Sequence, residues 1–202
     1  MTLPTATLAR THDVFNQSTP WADVNLFTTN QPLQDALRLH APGLGVAGLT
    51  ALGAEMGSAE MLTHARLANT HKPQLRTHDR FGHRTDVVEF HPSYHALMGA
   101  ALRHGLHATP WSRQDTGHAH VERAAGFMLF TEAEPSILCP VSMSYAVTPA
   151  LRGNAAVWAD WNKGLTSTQY DPRLALFSQK SALTMGMGMT EKQGGSDVRA
   201  NT

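Results

Sequence analysis

The sequence predicts a mainly α-helical domain that gives way, near residue 182, to an extended segment. Three observations carry that expectation. Apolar residues recur at three- and four-residue spacing through most of the chain. Prolines open helices at Pro32 and Pro92, and Pro135, Pro140 and Pro149 punctuate a compact, mostly helical region. Beyond Ala182 the period becomes two, with Met185, Met187 and Met189 alternating with Gly186, Gly188 and Thr190.

Taken in order, residues 1–30 are rich in Thr, Asn and Pro and read as an extended arm. Gln31-Pro32 opens a helix carrying Leu33, Ala36, Leu37 and His40. From Val46 to Asn69 the apolar positions Leu49, Leu52, Met56, Ala59, Leu62 and Ala65 continue at helical spacing. The glycines inside that run either interrupt it or mark close helix contacts. "HKPQLRTHDRFGHRTDVVEFHP" reads as a polar loop ending in a short extended piece from Val87 to Phe90. Pro92 opens a helix over Tyr94, Leu97, Met98, Ala101 and Leu102. Another runs from about His120 to Glu132, with Val121, Ala124, Ala125, Met128 and Leu129 on one face. A compact, mostly helical stretch follows, and Trp158 and Trp161 sit on one more helix.

Composition narrows the function. The charged fraction of 16% is low and the formal net charge of the 202 residues is zero. That balance argues against disorder and against a generic polyanion-binding surface in this part of the chain. Cys139 is the single cysteine, so no internal disulfide forms, which fits a reducing cytoplasm. No apolar run reaches the roughly 18 residues of a membrane span, and the N-terminus lacks a signal-peptide core.

No Gly-Lys-Ser or Gly-Lys-Thr is present, and Gly186 and Gly188 lack the third glycine of a dinucleotide fingerprint. The histidine pairs His91/His95, His104/His107 and His118/His120 read as polar surface or cap residues rather than metal ligands. Cys139, between Leu138 and Pro140, reads as an inert core thiol. The methionine stripe reads as core packing. Its opposite face, bare at Gly186 and Gly188, would let something flat approach the backbone. The turn "KQGGS" then offers successive amides to oxygen-rich or anionic groups. A glycine-rich hairpin with no ligand would show the same pattern.

At "MTEKQGGSD" the chain resembles the acyl-CoA dehydrogenase family, whose helical N-terminal domain passes into a middle β-domain through a Thr-Glu-x-x-x-Gly-Ser-Asp segment. Here that segment is Thr190, Glu191, Lys192, Gln193, Gly194, Gly195, Ser196 and Asp197. Lys192 stands where ordinary members carry proline. That departure, with "GMGMTEKQGGSD" entire, is similar to the AidB branch, flavoproteins of the adaptive response to DNA alkylation. "THDVFNQ", "RLAN", "EFHPSYH", "RAAGFMLF", "LCP" and "YD" extend the likeness upstream, in order, over nearly the whole chain.

The resemblance implies an acyl-CoA dehydrogenase-type N-terminal helical domain over residues 1–181. Residues 182–202 would be the start of a truncated middle β-domain, with its first strand at about 183–190. It implies FAD, with the isoalloxazine ring along Met187, Gly188, Met189, Thr190, Glu191, Lys192, Gln193, Gly194, Gly195 and Ser196. Thr190 would meet the pyrimidine end of the ring, and Ser196 would lie at the mouth of the acyl channel. Backbone donors aimed at the ring would raise the flavin's potential. The implied chemistry is α,β-dehydrogenation of an acyl thioester, or alternatively a protective role against alkylating agents. The carboxylate base, and a DNA-binding surface, would lie beyond Thr202. A homotetramer in the cytoplasm is the implied assembly. The rival readings are a non-catalytic helical scaffold that protects DNA or oligomerises, and a free-standing helical protein with a disordered tail.

Overall fold

The computed structural model describes residues 13–113, 117–188 and 195–200. Eight α-helices and one hairpin are present among them: α1 Gln31–His40, α2 Ala47–Met56, α3 Ala59–Thr70, β1 Gln74–His78, β2 Arg84–Glu89, α4 Pro92–Arg103, α5 Thr109–Ser112, α6 Ala119–Ala133, α7 Leu138–Arg152 and α8 Ala155–Leu165. Helix α2 packs on α6, α3 on α4, and α7 on α8. Between them Leu52, Met56, Leu97, Met98, Leu102, Leu129, Phe130 and Val141 are almost wholly removed from water. Each such side chain contributes about 1.5–3 kcal/mol relative to exposure. The mainly α expectation holds.

Local chemistry explains the boundaries. Asn30 caps α1, its side-chain oxygen accepting the Leu33 amide at 3.0 Å, and Pro32 sits in the first turn where no donor is required. The run from Val46 to Asn69 is two helices, because Ser58 both ends one and begins the next. Its hydroxyl donates to the Glu55 carbonyl (2.7 Å) and accepts the Met61 amide (3.1 Å). The glycines there do mark close contacts. The Leu26 amide donates to the Gly53 carbonyl at 3.1 Å and the Val24 amide to Gly57 at 3.4 Å. A Cβ on Gly57 would lie 1.9 Å from the Val24 carbonyl oxygen. The arm preceding α1 is therefore strapped to α2 backbone against backbone.

Two expectations need correction here. The extended piece expected at Val87 to Phe90 is there as far as Glu89, within β2, but the polar loop before it is the other half of an antiparallel hairpin, with Leu75 opposite Val88 and Arg76 opposite Val87. Asp79 organises its turn: one carboxylate oxygen accepts the amides of Phe81 (2.8 Å) and His83 (2.9 Å), while Gly82 takes a φ of +84°. Almost every residue of both strands is exposed, so the alternation that normally reveals a strand is absent. Cys139, expected in the core, is exposed. The period of α7 turns Leu138 and Val141 inward and leaves Cys139 on the outer side.

Helix α7 is braced at both ends. Glu134, buried between α6 and α7, accepts the amides of Ser136 (3.0 Å) and Ile137 (2.7 Å) and the Asn69 side chain (3.1 Å). That carboxylate joins α3 to the start of α7 and satisfies amides that no helical turn reaches. Towards the other end, Pro149 has no N–H to give the Tyr145 carbonyl four residues earlier. The indole N–H of Trp111 donates to that carbonyl instead, at 2.8 Å. Trp111 also stacks on the Tyr145 ring, 4.9 Å between centroids, and the Arg123 guanidinium lies 3.7 Å from the same ring.

Candidate functional site

The region singled out in the sequence begins where the chain leaves α8. A turn held by Asp171 comes first. Its carboxylate accepts from Arg173 Nε (2.9 Å) and Nη2 (2.7 Å) and from the Ser181 amide (3.0 Å). The Arg173 bonds, then the Ser181 amide, hold this carboxyl well below the usual carboxylate range. The loop 171–181 is thereby closed, and the chain enters the next segment in a defined place.

Ala182 and Leu183 are buried, Ala182 in the main core and Leu183 against Gly164 of α8. The Leu183 amide donates to the Gly164 carbonyl at 2.9 Å. Gly164 is needed there, since a Cβ would stand 2.6 Å from the Leu183 side chain. Farther on, the Met185 amide donates to Ser144 Oγ at 3.0 Å and the Met187 amide to Met143 Sδ at 3.4 Å. The expected strand at 183–190 is not in a β-ladder over its described part, residues 183–188. A strand requires a neighbouring strand for its amides, and here helix groups take that place.

Gly188 and Met187 are exposed, and a Cβ built on Gly186 or Gly188 would meet nothing within 4 Å. Among the described residues, the bare face expected at these glycines is therefore open. Gly195 and Ser196 are exposed as well. Met189, Thr190, Glu191, Lys192, Gln193 and Gly194 lie outside the described residues. Sequence reasoning did not find Ser144, Met143 or Gly164. Their only signal is a small residue or an acceptor on a helix, and many positions share it.

Beside the segment lies a cleft of 560 Å³ between the hairpin, α4 and the 170–174 turn, with Ala182 and Thr184 on its wall. Met98 and Leu102 form its apolar side, Glu89, Arg173 and Lys180 are among its charged lining, and Tyr170 Oη lies 2.8 Å from His95 Nδ1 on its wall. Burial lowers the imidazole's pKa and raises the phenol's. Both shifts favour the neutral forms, so the pair is joined by one hydrogen bond rather than by an ion pair. His91 is a helix cap, its Nδ1 accepting the Ser93 amide at 3.2 Å. No group of three or more His, Cys, Asp or Glu side chains suited to a metal ion occurs among the described residues. Nor is any helix among them long and apolar enough to cross a membrane.

Residues 16–172 match the family described as the adaptive response protein AidB N-terminal domain. Over 194 residues, 96% of this chain and 36% of the relative, the sequence is 42% identical to the putative acyl-CoA dehydrogenase AidB of Escherichia coli. Acyl-CoA dehydrogenase family member 11 of Caenorhabditis elegans is 26% identical over 134 residues, 66% of this chain and 21% of its own length. Among solved structures, the apo form of Bd2924 superposes with a TM-score of 0.72 at 27% identity, covering 94% of this chain and 37% of that one. C. elegans ACDH-11, solved in complex with C11-CoA, shares the fold with a TM-score of 0.74 at 22% identity, covering all of this chain and 34% of that one. The chain thus spans about a third of the E. coli relative's length. A family model that matches residues 16–172, together with 42% identity to the E. coli relative over 96% of the chain, places this chain in the AidB N-terminal domain family, within the AidB-like acyl-CoA dehydrogenases.

Proposed function

We propose that this chain is the helical portion, residues 1–181, and the opening of the flavin-contacting β-domain, residues 182–202, of an FAD-dependent AidB-type flavoprotein. The observation that carries the reading is the segment 183–188. Its glycine face stands open while its amides are taken by helix groups. A planar ring fits there, because Gly186 and Gly188 place no side chain in its way.

In this reading Met187, Gly188, Met189, Thr190, Glu191, Lys192, Gln193, Gly194, Gly195 and Ser196 line the flavin. Thr190 meets the pyrimidine end, and Ser196 also faces the acyl channel. Bound FAD supplies the two-electron acceptor. The chain's own part is to orient: the Asp171 turn and the Gly164 contact bring the segment to one place, and the helices exclude water behind it. The substrate is an acyl thioester, in keeping with the name of the E. coli relative, and the base that removes its proton is outside these residues. The protein assembles as a cytoplasmic homotetramer, with double-stranded DNA met through a region beyond Thr202.

The test is FAD binding, by fluorescence quenching, to this chain and to one extended through the following domain. Binding by the longer chain, abolished by Gly188→Val, is the expected result. A Gly188→Val protein with stoichiometric FAD and a normal yellow colour would remove the glycine-face argument. Absence of binding by either chain would leave the scaffold reading in its place.

A further inference from the structure

We propose that Ser144 is a positioning residue for the flavin-contacting segment, acting from the side of the chain that faces the helices; this rests on the flavoprotein reading above. In an extended chain, amides two residues apart point to the same edge. The amide bonds seen here fall on Leu183, Met185 and Met187, every second residue. Three different helix groups receive them: the Gly164 carbonyl of α8, then Ser144 Oγ and Met143 Sδ of α7. Pinning one edge at three points fixes the rotation of the segment about its own axis. That rotation sets where the bare faces of Gly186 and Gly188 are presented.

The three clamps are not equal. Gly164 offers a main-chain acceptor that any residue would have, and a thioether sulfur is a weak acceptor. Ser144 offers an oxygen, and its side chain is almost fully buried. The hydroxyl's own proton is committed along its helix, donated to the Pro140 carbonyl at 2.9 Å. Only its acceptor side remains, and it faces the Met185 amide. The middle clamp is thus a hydroxyl with its direction already chosen. Its loss would leave a half-buried amide without a partner.

The experiment uses a chain of the relatives' full length, loaded with FAD, with two readouts. One is hydrogen exchange at the Met185 amide. The other is the flavin itself: visible absorption, midpoint potential and FAD affinity. Ser144→Ala is expected to speed exchange about fivefold, weaken FAD about as much, and alter the flavin spectrum. Ser144→Thr, which keeps a hydroxyl able to make the same bond to the carbonyl four residues back, restores all three. Ser93→Ala is the control, because it deletes an equally buried hydroxyl that contacts His64 at 3.0 Å instead. It should move none of them. Unchanged exchange in Ser144→Ala overturns the proposal. So does faster exchange with an unaltered flavin, which makes the bond merely structural. A parent protein that takes up no FAD refutes the flavoprotein reading, and the positioning role falls with it, whatever the exchange data show.

Discussion

The bond between Trp111 and the Tyr145 carbonyl makes a quantitative prediction, because Pro149 is the reason that carbonyl is available. Replacing Trp111 with Phe keeps most of the ring stack but removes the indole N–H that this carbonyl accepts. An acceptor left unmatched and partly shielded costs about 1–3 kcal/mol. Half-burial of Tyr145 puts the expected cost near 1.5 kcal/mol. For a chain of this size that lowers Tm by about 3–6 °C. Pro149→Ala restores the helical donor, and position 149 is exposed, so the change is tolerated. In that background Trp111→Phe should cost only about 0.5 kcal/mol, since the carbonyl now has its i+4 partner. Urea denaturation of the four proteins measures the coupling, expected near 1 kcal/mol. Additivity within about 0.3 kcal/mol would refute the substitution of an indole for a missing helical amide.

Two further expectations come from the packing. Gly57→Ala places a methyl 1.9 Å from the Val24 carbonyl. It should destabilise by about 1–3 kcal/mol and free the arm for proteolysis ahead of α1, and an unchanged Tm and cleavage pattern would contradict the strap. His107 is fully buried, donates from Nε2 to the Ser167 carbonyl at 3.0 Å, and has no partner on Nδ1 among the described residues. Burial, with the Arg123 charge adding to it, lowers its pKa to about 4 against the upward pull of the Ser167 bond. Between pH 6.5 and 4 the unfolded chain therefore binds a proton that the folded chain refuses, so stability falls as pH falls. The loss reaches at most about 3 kcal/mol below pH 4. His107→Gln should flatten the dependence of the urea midpoint on pH in that window, and identical slopes in the two proteins would refute the assignment.

Legibility followed the physics of each element. Helix α1 was visible because Asn30 and Pro32 act locally, and α4 because Pro92 does. The division of α2 from α3 was readable in principle from Ser58, a cap residue between two apolar runs. The hairpin was not, since both its faces meet water and no apolar alternation exists. Its Asp79 and Gly82 were the available signal. Cys139 was misplaced by judging a run of apolar neighbours rather than their helical phase. At the candidate site the glycine alternation was legible, but the groups that receive the amides were not. Ser144 lies 41 residues from Met185 in sequence, and no local pattern marks one hydroxyl on a helix for a chain that far away.

The exposed hairpin has a consequence for engineering. Its turn is organised by one aspartate and one glycine, and Phe81 at the tip is 74% exposed. The end nearest α4, by contrast, contributes Val87 and Val88 to the cleft wall. The tip can thus carry a graft: a reporter peptide or a fluorescent label between Asp79 and His83 would ride outside the helical core. It would give a spectroscopic handle on the molecule that leaves α7, α8 and the segment beyond them untouched.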